Sequence, residues 1–239
     1  MTRSVVIAHL YPRELNIYGD VGNIISLRKR LEWRGFAATV RSVDVGEAFD
    51  FAEADIVFGG GGQDSGQLVI SDDLYSRGEE LRRLAADGAP MLVVCGAYQL
   101  FGRGFTTLEG REIPGIGVFD ARTTGSRVRM IGNISVDSPF GSLVGFENHS
   151  GQTVLELGQA PLGAVTKGYG NNRESRQEGA IRGNAIGTYM HGPVLPKNPR
   201  LADHLILTAL RRRHGVTELA PLDDALEAHA ATTAQSRPQ

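Results

Sequence analysis

Short apolar runs alternate with helix-like stretches through the first hundred residues. Residues 4–10 and 91–94 are apolar runs of the length expected for buried parallel strands. Residues 39–43 and 55–58 predict two further strands between them. The second of these strands opens directly into a run of glycines, so it ends abruptly at a flexible loop.

The intervals between these strands carry the spacing of amphipathic helices. Ile24, Leu27 and Leu31 follow an i, i+3, i+7 pattern, and Gly35 is suited to stop that helix at its C-terminus. A second helix is marked by Leu74, Leu81, Leu84 and Ala85. Strands and helices that alternate with short loops predict a parallel sheet with helices on both faces.

The pattern changes after about residue 101. Short alternating segments, separated by Gly, Asn and Pro turns as in antiparallel hairpins, lie at residues 127–131, 135–136, 143–146 and 185–189. One further helix is predicted at residues 200–213. The sequence therefore predicts an α/β fold in a single domain, residues 1–214, whose parallel sheet has an antiparallel extension. The alanine-rich residues 215–239 are expected to form a partly disordered tail.

Composition and charge exclude several classes of function. The 25 Lys and Arg residues nearly balance 27 Asp and Glu residues, so the net charge of −2 favours neither nucleic acid nor an anionic membrane surface. The single cysteine, Cys95, excludes an internal disulfide framework and a cysteine-only zinc site. Neither a signal peptide nor an apolar stretch of the roughly 20 residues that span a bilayer is recognisable. We expect a cytoplasmic protein that is not inserted in the membrane.

Cys95 is the strongest candidate for a reactive group. It follows the predicted strand at residues 91–94 and precedes Gly96 and a helical segment, which is how a nucleophile elbow is encoded. The N–H groups at the start of that helix favour a thiolate. A lone cysteine is more often a buried structural residue. However, active sites of open α/β sheets lie at the carboxyl ends of strands, and this position favours a nucleophile.

A cysteine nucleophile needs a base, and two of the six histidines stand at suitable positions. His191 ends a strand-like run and is followed by a glycine turn. His149 is the rival, and the pattern alone barely separates the two. The other four lie in the first strand or in the C-terminal helix and tail, and are expected to be core or surface residues.

Four consecutive glycines, residues 59–62, close the strand at residues 55–58. Their backbone N–H groups are suited to an oxyanion pocket, with Gly60 and Gly61 as candidates beside Gly96. The same loop is suited to a phosphate. It lacks the Lys-Ser/Thr ending of a P-loop, so it indicates a nucleotide site only weakly.

Several segments together carry a family resemblance over roughly residues 4–213. PMLVVCGAYQ at residues 90–99 resembles the nucleophile motif of class I glutamine amidotransferases, and GTYMHGP at residues 187–193 is similar to the histidine motif of their cobyric-acid-synthase-like branch. Four more segments resemble the glutaminase subunits of lipid II isoglutaminyl synthases: LNIYGDVGN (15–23), GFENH (145–149), GYGNN (168–172) and HGPVLPKN (191–198).

The resemblance implies a flavodoxin-like fold and assigns roles residue by residue. Cys95 matches the nucleophile and His191 the general base and acid. Arg129 matches the arginine that contacts the substrate, although Arg127 stands two residues away on the same strand face. By the same resemblance, Cys95 attacks the glutamine amide while the glycine loop and the Gly96 N–H hold the oxyanion.

Two positions depart from the commoner class I pattern. Ala97 stands where a glycine usually follows the nucleophile by two residues, so one methyl group tightens the elbow. Gly-Pro at residues 192–193 leaves no glutamate to complete a triad with His191. Asp20, which follows the first strand on the catalytic edge, is the preferred acid in its place, and Glu147 is the alternative.

The resemblance also implies a division of labour between two chains. This chain hydrolyses L-glutamine, and a MurT-like Mur ligase subunit in the same heterodimer uses the ammonia to convert the D-glutamate of lipid II to D-isoglutamine in peptidoglycan synthesis. No metal and no cofactor are expected in this chain, because ATP and Mg²⁺ act on the partner. Lipid II is reached through the partner, which brings the complex to the inner face of the membrane.

Three other functions are compatible with parts of the pattern. The same glutaminase could serve another amidoligase, such as one that acts on a corrinoid side chain. A DJ-1-like cysteine hydrolase has the same fold and a cysteine at the same elbow. A flavodoxin-like binding module would use the glycine loop for an anion and would not need Cys95.

Overall fold

The computed structural model describes residues 3–237 and contains two six-stranded sheets with six α-helices. The strands are β1 (Ser4–Leu10), β2 (Ala37–Val43), β3 (Ile56–Gly59), β4 (Met91–Val94), β5 (Gly104–Thr106), β6 (Glu112–Pro114), β7 (Ala121–Ser138), β8 (Gly141–Leu155), β9 (Gly163–Lys167), β10 (Gln177–Glu178), β11 (Ala180–Arg182) and β12 (Ala185–Thr188). The helices are α1 (Val21–Glu32), α2 (Asp64–Ser76), α3 (Gly78–Ala86), α4 (Gly96–Phe101), α5 (Pro199–His214) and α6 (Ala225–Ser236).

The first sheet forms the centre of the molecule, in the order β11-β12-β4-β3-β1-β2. Its strands pair in parallel except for β11 with β12. β3, β4 and β12 are buried at every residue, as expected of short apolar runs covered on both faces of a parallel sheet. The predicted α/β class and its parallel core are therefore confirmed.

Strand β12 differs from the sequence-based expectation. Residues 185–189 are expected in the antiparallel extension, but β12 pairs in parallel with β4, with Thr188 opposite Val94. A four-residue apolar run has the same pattern in either setting, and the pairing partner decides between them. As a result, Cys95 and His191 follow neighbouring strands at one carboxyl edge of the sheet.

The second sheet is built around one long antiparallel hairpin of β7 and β8, which are 18 and 15 residues long. The separate short segments expected between residues 127 and 146 belong to this single hairpin. Its register shifts between Gly125 and Met130, so the intervening residues of β7 leave the regular ladder. A bridge from Phe146 to His191 joins the hairpin to the carboxyl edge of the first sheet.

Most helices lie where the apolar spacing predicts them. Gly35 has a φ of +76° just beyond α1, in the left-handed region that favours glycine. The single helix expected around residues 74–85 is two helices, α2 and α3, which meet at Arg77. Among residues 3–237, no helix is both long and apolar enough to cross a membrane.

Within the C-terminal segment that is expected to be partly disordered, residues 225–236 form α6. Asp224, immediately before α6, pairs with the buried Arg30 of α1 at 2.5 Å. Lys167 donates to the Gln235 carbonyl at 3.1 Å, near the end of the helix. Alanine has a high helix propensity, and these polar anchors hold a helix that buries no residue of its own. Residues 238–239 of the expected tail lie outside the described residues.

Candidate active site

Cys95 occupies the sharp turn between β4 and α4. Its φ of +48° lies in the left-handed region that non-glycine residues rarely adopt, and its N–H donates to the Thr188 carbonyl at 2.8 Å. Gly96 permits the turn, because a Cβ there would lie 2.9 Å from Gly62 N and 3.1 Å from Gln67 Nε2. A strained cysteine, 5% exposed at a strand end, has the geometry of a nucleophile elbow.

Ala97 is accommodated by a glycine on the neighbouring strand. A Cβ on Gly59 would lie 2.9 Å from the Ala97 methyl group, so only glycine fits opposite it without a shift. The Ala97 N–H donates to the Gly60 carbonyl at 3.3 Å, which ties the elbow to the glycine loop. The departure from the commoner motif at residue 97 is therefore compensated within β3.

A buried His191–Asp20 pair lies beside the elbow. His191 Nδ1 is 3.2 Å from one oxygen of Asp20 and 3.3 Å from the other, and both side chains are fully buried. The same carboxylate accepts the Gly61 N–H at 2.7 Å. A Cβ on Gly61 would lie 2.5 Å from His191 Cε1, so glycine is needed for this close approach. The preferred acid of the sequence analysis thus contacts the preferred histidine.

The charges around His191 favour its protonated form. Burial alone would lower the pKa of His191, but Cys95 and the Asp20 carboxylate outweigh burial and raise that pKa to about 10. Among residues 3–237, the Nε2 atom of His191 has no hydrogen-bond partner of regular geometry. With Nδ1 facing Asp20, Nε2 is the nitrogen left to exchange a proton at the thiol.

The glycines expected to hold an oxyanion have different surroundings. The Gly61 N–H already donates to the Asp20 carboxylate. A Cβ on Gly60 would lie 2.2 Å from the Leu15 carbonyl, so Gly60 packs beneath the loop that carries Asp20. Gly62, in contrast, lines the cavity beside Cys95. Gly96 begins α4, and its N–H therefore has no acceptor within the helix.

A cavity of about 370 Å³ opens beside Cys95. Its wall is formed by the glycine loop, the start of α2, the Ile17–Gly19 turn and the β7–β8 hairpin, together with α4 and Phe105 of β5. Its polar lining includes Tyr18, Asp64, Gln99, Arg129 and Asn148. Within residues 3–237, no group of three or more His, Cys, Asp or Glu side chains is arranged to hold a metal ion.

Arg129 lies at this cavity, and its Nε donates to Asn148 Oδ1 at 2.7 Å. Arg127, the other arginine of the sequence analysis, is not among the described residues that line the cavity. Asp64 lines the same cavity, and burial together with nearby Glu109 raises the pKa of its carboxyl. Asp64 is not predicted from the sequence, because an acidic residue in the first turn of a helix is already explained by the helix dipole.

Glu147 and His149, the alternatives of the sequence analysis, lie together at a neighbouring position. The Glu147 carboxylate accepts the N–H groups of Tyr169 at 2.8 Å and Gly170 at 2.9 Å. His149 Nδ1 faces the Gly151 carbonyl at 2.9 Å, while its Nε2 is 3.9 Å from Glu147. Burial lowers the pKa of His149. This histidine therefore stays neutral at neutral pH, and its carboxylate partner is already occupied by backbone donors.

Known sequences resemble this chain over most of its length. The CobB/CobQ-like glutamine amidotransferase domain family matches residues 6–199. The GatD subunit of the glutamine-hydrolysing lipid II isoglutaminyl synthase of Staphylococcus aureus is 40% identical over 95% of this chain and 93% of its own. Its Streptococcus pneumoniae counterpart is 41% identical over 87% and 82%. A probable cobyric acid synthase of Methanothermobacter thermautotrophicus is 31% identical over 77% of this chain but 38% of its own.

Comparison with solved structures concerns the fold alone, because the identities are low. PurLQS from Thermotoga maritima aligns with a TM-score of 0.57 and 15% identity, over 88% of this chain and 100% of that chain. A glutamine amidotransferase from the same organism aligns with a TM-score of 0.55 and 14% identity, over 97% of this chain and 93% of that one. The α/β architecture is therefore shared with glutamine amidotransferases.

Proposed function

This chain belongs to the CobB/CobQ-like glutamine amidotransferase family, and on that premise we propose that it is the glutaminase subunit of a lipid II isoglutaminyl synthase. The strained Cys95 beside the buried His191–Asp20 pair is the observation that carries the proposal. A thiol, an imidazole and a carboxylate in this order are the groups that acyl transfer from an amide requires. The two GatD relatives support the specific assignment, because this chain aligns with most of the length of each.

Glutamine would bind with its amino-acid end at the cavity mouth and its amide at Cys95. The Arg129 guanidinium is suited to the α-carboxylate, because its planar fork matches a carboxylate. Asp64 is the acidic residue of the same wall and is suited to the α-ammonium group. The two opposite charges would orient a zwitterion and so present the side-chain amide to the elbow.

Hydrolysis then follows in two half-reactions. The Cys95 thiolate attacks the amide carbon, and the N–H groups of Gly62 and Gly96 stabilise the oxyanion, each preorganised donor being worth about 3 kcal/mol. His191 Nε2 gives its proton to the departing nitrogen, so ammonia leaves and a thioester remains. The neutral imidazole then removes a proton from water, which attacks the thioester and releases glutamate. Asp20 positions His191 and stabilises its charged form throughout.

The ammonia requires an acceptor on another chain. We assign ATP, Mg²⁺ and lipid II to a MurT-like Mur ligase partner, which would activate the D-glutamate α-carboxyl so that ammonia converts it to D-isoglutamine. The names of the two relatives, as subunits of a glutamine-hydrolysing lipid II isoglutaminyl synthase, support this division. A lipid-linked acceptor would place the complex on the cytoplasmic side of the membrane, held there by the partner.

A labelling experiment tests the assignment. The tagged chain is expressed in its native cell and purified with whatever ligase accompanies it, and the complex receives lipid II, ATP and glutamine labelled with ¹⁵N at the side-chain amide. We expect a Mur-ligase-like chain in the complex and ¹⁵N in the isoglutamine of the product. Glutamate release without transfer to lipid II, or transfer to a different acceptor, would reject the ligase assignment while leaving the glutaminase intact.

A further inference from the structure

Tyr18 contacts both His191 and Asn148. The hydrolysis described above gives it no role. The residue lies in the Ile17–Gly19 turn between β1 and α1, two residues before Asp20. Its ring stands edge-on to the His191 ring, with centroids 4.9 Å apart and planes at 67°. Its φ of +56° is in the left-handed region, and the residue is 42% exposed. A half-exposed aromatic ring thus covers a fully buried catalytic histidine.

The Tyr18 hydroxyl is connected to Arg129 by two short hydrogen bonds. Arg129 Nε donates to Asn148 Oδ1 at 2.7 Å, and Asn148 Nδ2 donates to the Tyr18 hydroxyl at 2.6 Å. The direction of this chain is fixed, because a guanidinium only donates and therefore requires the amide oxygen of Asn148. All three residues line the cavity beside Cys95.

Arg129 needs such support because the backbone gives it little. It lies between Gly125 and Met130, where β7 leaves its register with β8, and it is exposed. A long side chain in that setting loses considerable rotamer freedom when it binds a ligand. The bond to Asn148 uses Nε and leaves the two terminal nitrogens as the fork for a carboxylate. Asn148, in turn, is fixed by Tyr18.

We infer that Tyr18 is a positioning residue for glutamine hydrolysis, with its hydroxyl acting through Asn148 on Arg129 and its ring acting on His191. The inference rests on the proposed function, since it assumes that Arg129 receives the substrate carboxylate. It assigns the hydroxyl to substrate binding and the ring to the catalytic histidine. Variants of Tyr18 that remove only the hydroxyl, or the hydroxyl and the ring together, therefore distinguish the two contributions.

Tyr18→Phe removes the hydroxyl and keeps the ring. Glutamate release is measured in the assembled complex. The KM for glutamine should rise about fivefold, which is the usual effect of one lost hydrogen bond. The kcat should change by less than about twofold. A change in KM alone identifies a loss of ground-state binding. Tyr18→Ala should in addition lower kcat by about tenfold or more, because His191 loses its cover. The matched control is Tyr75→Phe, at an exposed tyrosine of α2 outside the cavity, which should leave both constants unchanged.

A double-mutant cycle completes the test. Asn148→Ala should raise KM, and the Tyr18→Phe, Asn148→Ala pair should raise it no further than Asn148→Ala alone, because both act on Arg129 through one chain. Equal melting temperatures exclude misfolding. Effects on KM that multiply, or a Tyr18→Phe variant with unchanged KM, would overturn the inference while the glutaminase assignment stands. A wild-type complex that releases no glutamate would instead refute the proposed function.

Discussion

Under the proposed function, amide hydrolysis depends on three buried side chains, those of Cys95, His191 and Asp20. Asp20 is shared between the His191 ring and the Gly61 N–H, so it is fixed in place before substrate arrives. A carboxylate held in this way stabilises an imidazolium, and the imidazolium stabilises a neighbouring thiolate. The reactive pair is therefore organised in the free protein.

Replacing the base should separate the two histidines at the site. His191→Ala removes the group that faces the thiol, and it should lower kcat for glutamine hydrolysis by about 10²–10⁴-fold, the usual worth of a positioned proton donor and acceptor. His149→Ala should have a much smaller effect, because His149 is neutral and faces Glu147 and Gly151. Glutamate release is measured at saturating glutamine, with circular dichroism as the folding control. A larger loss for His149→Ala would reverse the assignment.

The pH dependence should report on the acid. The pKa of His191 is raised to about 10, so the imidazolium is retained through neutral pH and lost as the pH rises through that value. Activity should therefore fall on the alkaline side. Asp20→Asn removes one of the charges that raise this pKa, so the alkaline limb of kcat/KM should move to lower pH, and turnover should fall.

The matched control for Asp20→Asn is Glu147→Gln, whose carboxylate is already bonded to the Tyr169 and Gly170 N–H groups. It should leave the alkaline limb near its wild-type position. An unchanged limb in Asp20→Asn together with a shifted limb in Glu147→Gln would make Glu147 the orienting acid.

The sequence predicts these residues unevenly, for physical reasons. Cys95 and His191 follow strand ends, where both the sequence motif and the position in the fold indicate a site residue. The elbow at Cys95 is predicted by a strand that is followed by a glycine and a helix. The use of the Gly61 N–H by Asp20 is invisible in sequence, because each glycine of the run has the same pattern. Asp64 cannot be recognised as a site residue for a similar reason. Its position in the first turn of α2 accounts for an acidic residue without any ligand.

At the scale of secondary structure, β12 decides where the histidine lies. A four-residue apolar run does not reveal its partner, and the β4–β12 pairing joins residues about ninety positions apart, which local pattern cannot supply. The long β7–β8 hairpin is likewise divided in the sequence by glycines and polar positions, although its ladder is nearly continuous. α1 and α5, in contrast, follow from apolar spacing alone.

The anchor of α6 offers a test at this scale. Arg30 and Arg34 have nearly buried side chains, and both form ion pairs with Asp203. Of these two arginines, Arg30 alone also pairs with Asp224. Asp224→Ala should release α6, so amide hydrogen exchange in residues 225–236 should become faster while the melting temperature falls little. Asp203→Ala should destabilise the whole domain, by roughly 3 kcal/mol, because it leaves buried arginine charge unpaired. Exchange in α6 that is as slow as in the wild type after Asp224→Ala would show that other contacts hold the helix.

At the scale of the whole molecule, the two sheets divide the work. The parallel sheet carries the elbow, the histidine and the loop with Asp20, while the hairpin of the second sheet carries Arg129 and Asn148. The cavity lies where they meet. Under the proposed function the chain has one task, to release ammonia from glutamine, and the ligase chemistry belongs to a separate partner. The loss of the nucleophile should therefore uncouple glutamine from the ligase without damaging the ligase.

The most direct measurement is lipid II amidation by the complex that carries Cys95→Ser. Serine has nearly the same volume, so the elbow and the partner surface should persist, but an alcohol is a far weaker nucleophile than a thiolate. We predict that this complex fails with glutamine and ATP, yet amidates lipid II when a high concentration of ammonium chloride replaces glutamine. Loss of both activities in a complex that still assembles would contradict the account, because Cys95 would then be needed for more than the release of ammonia.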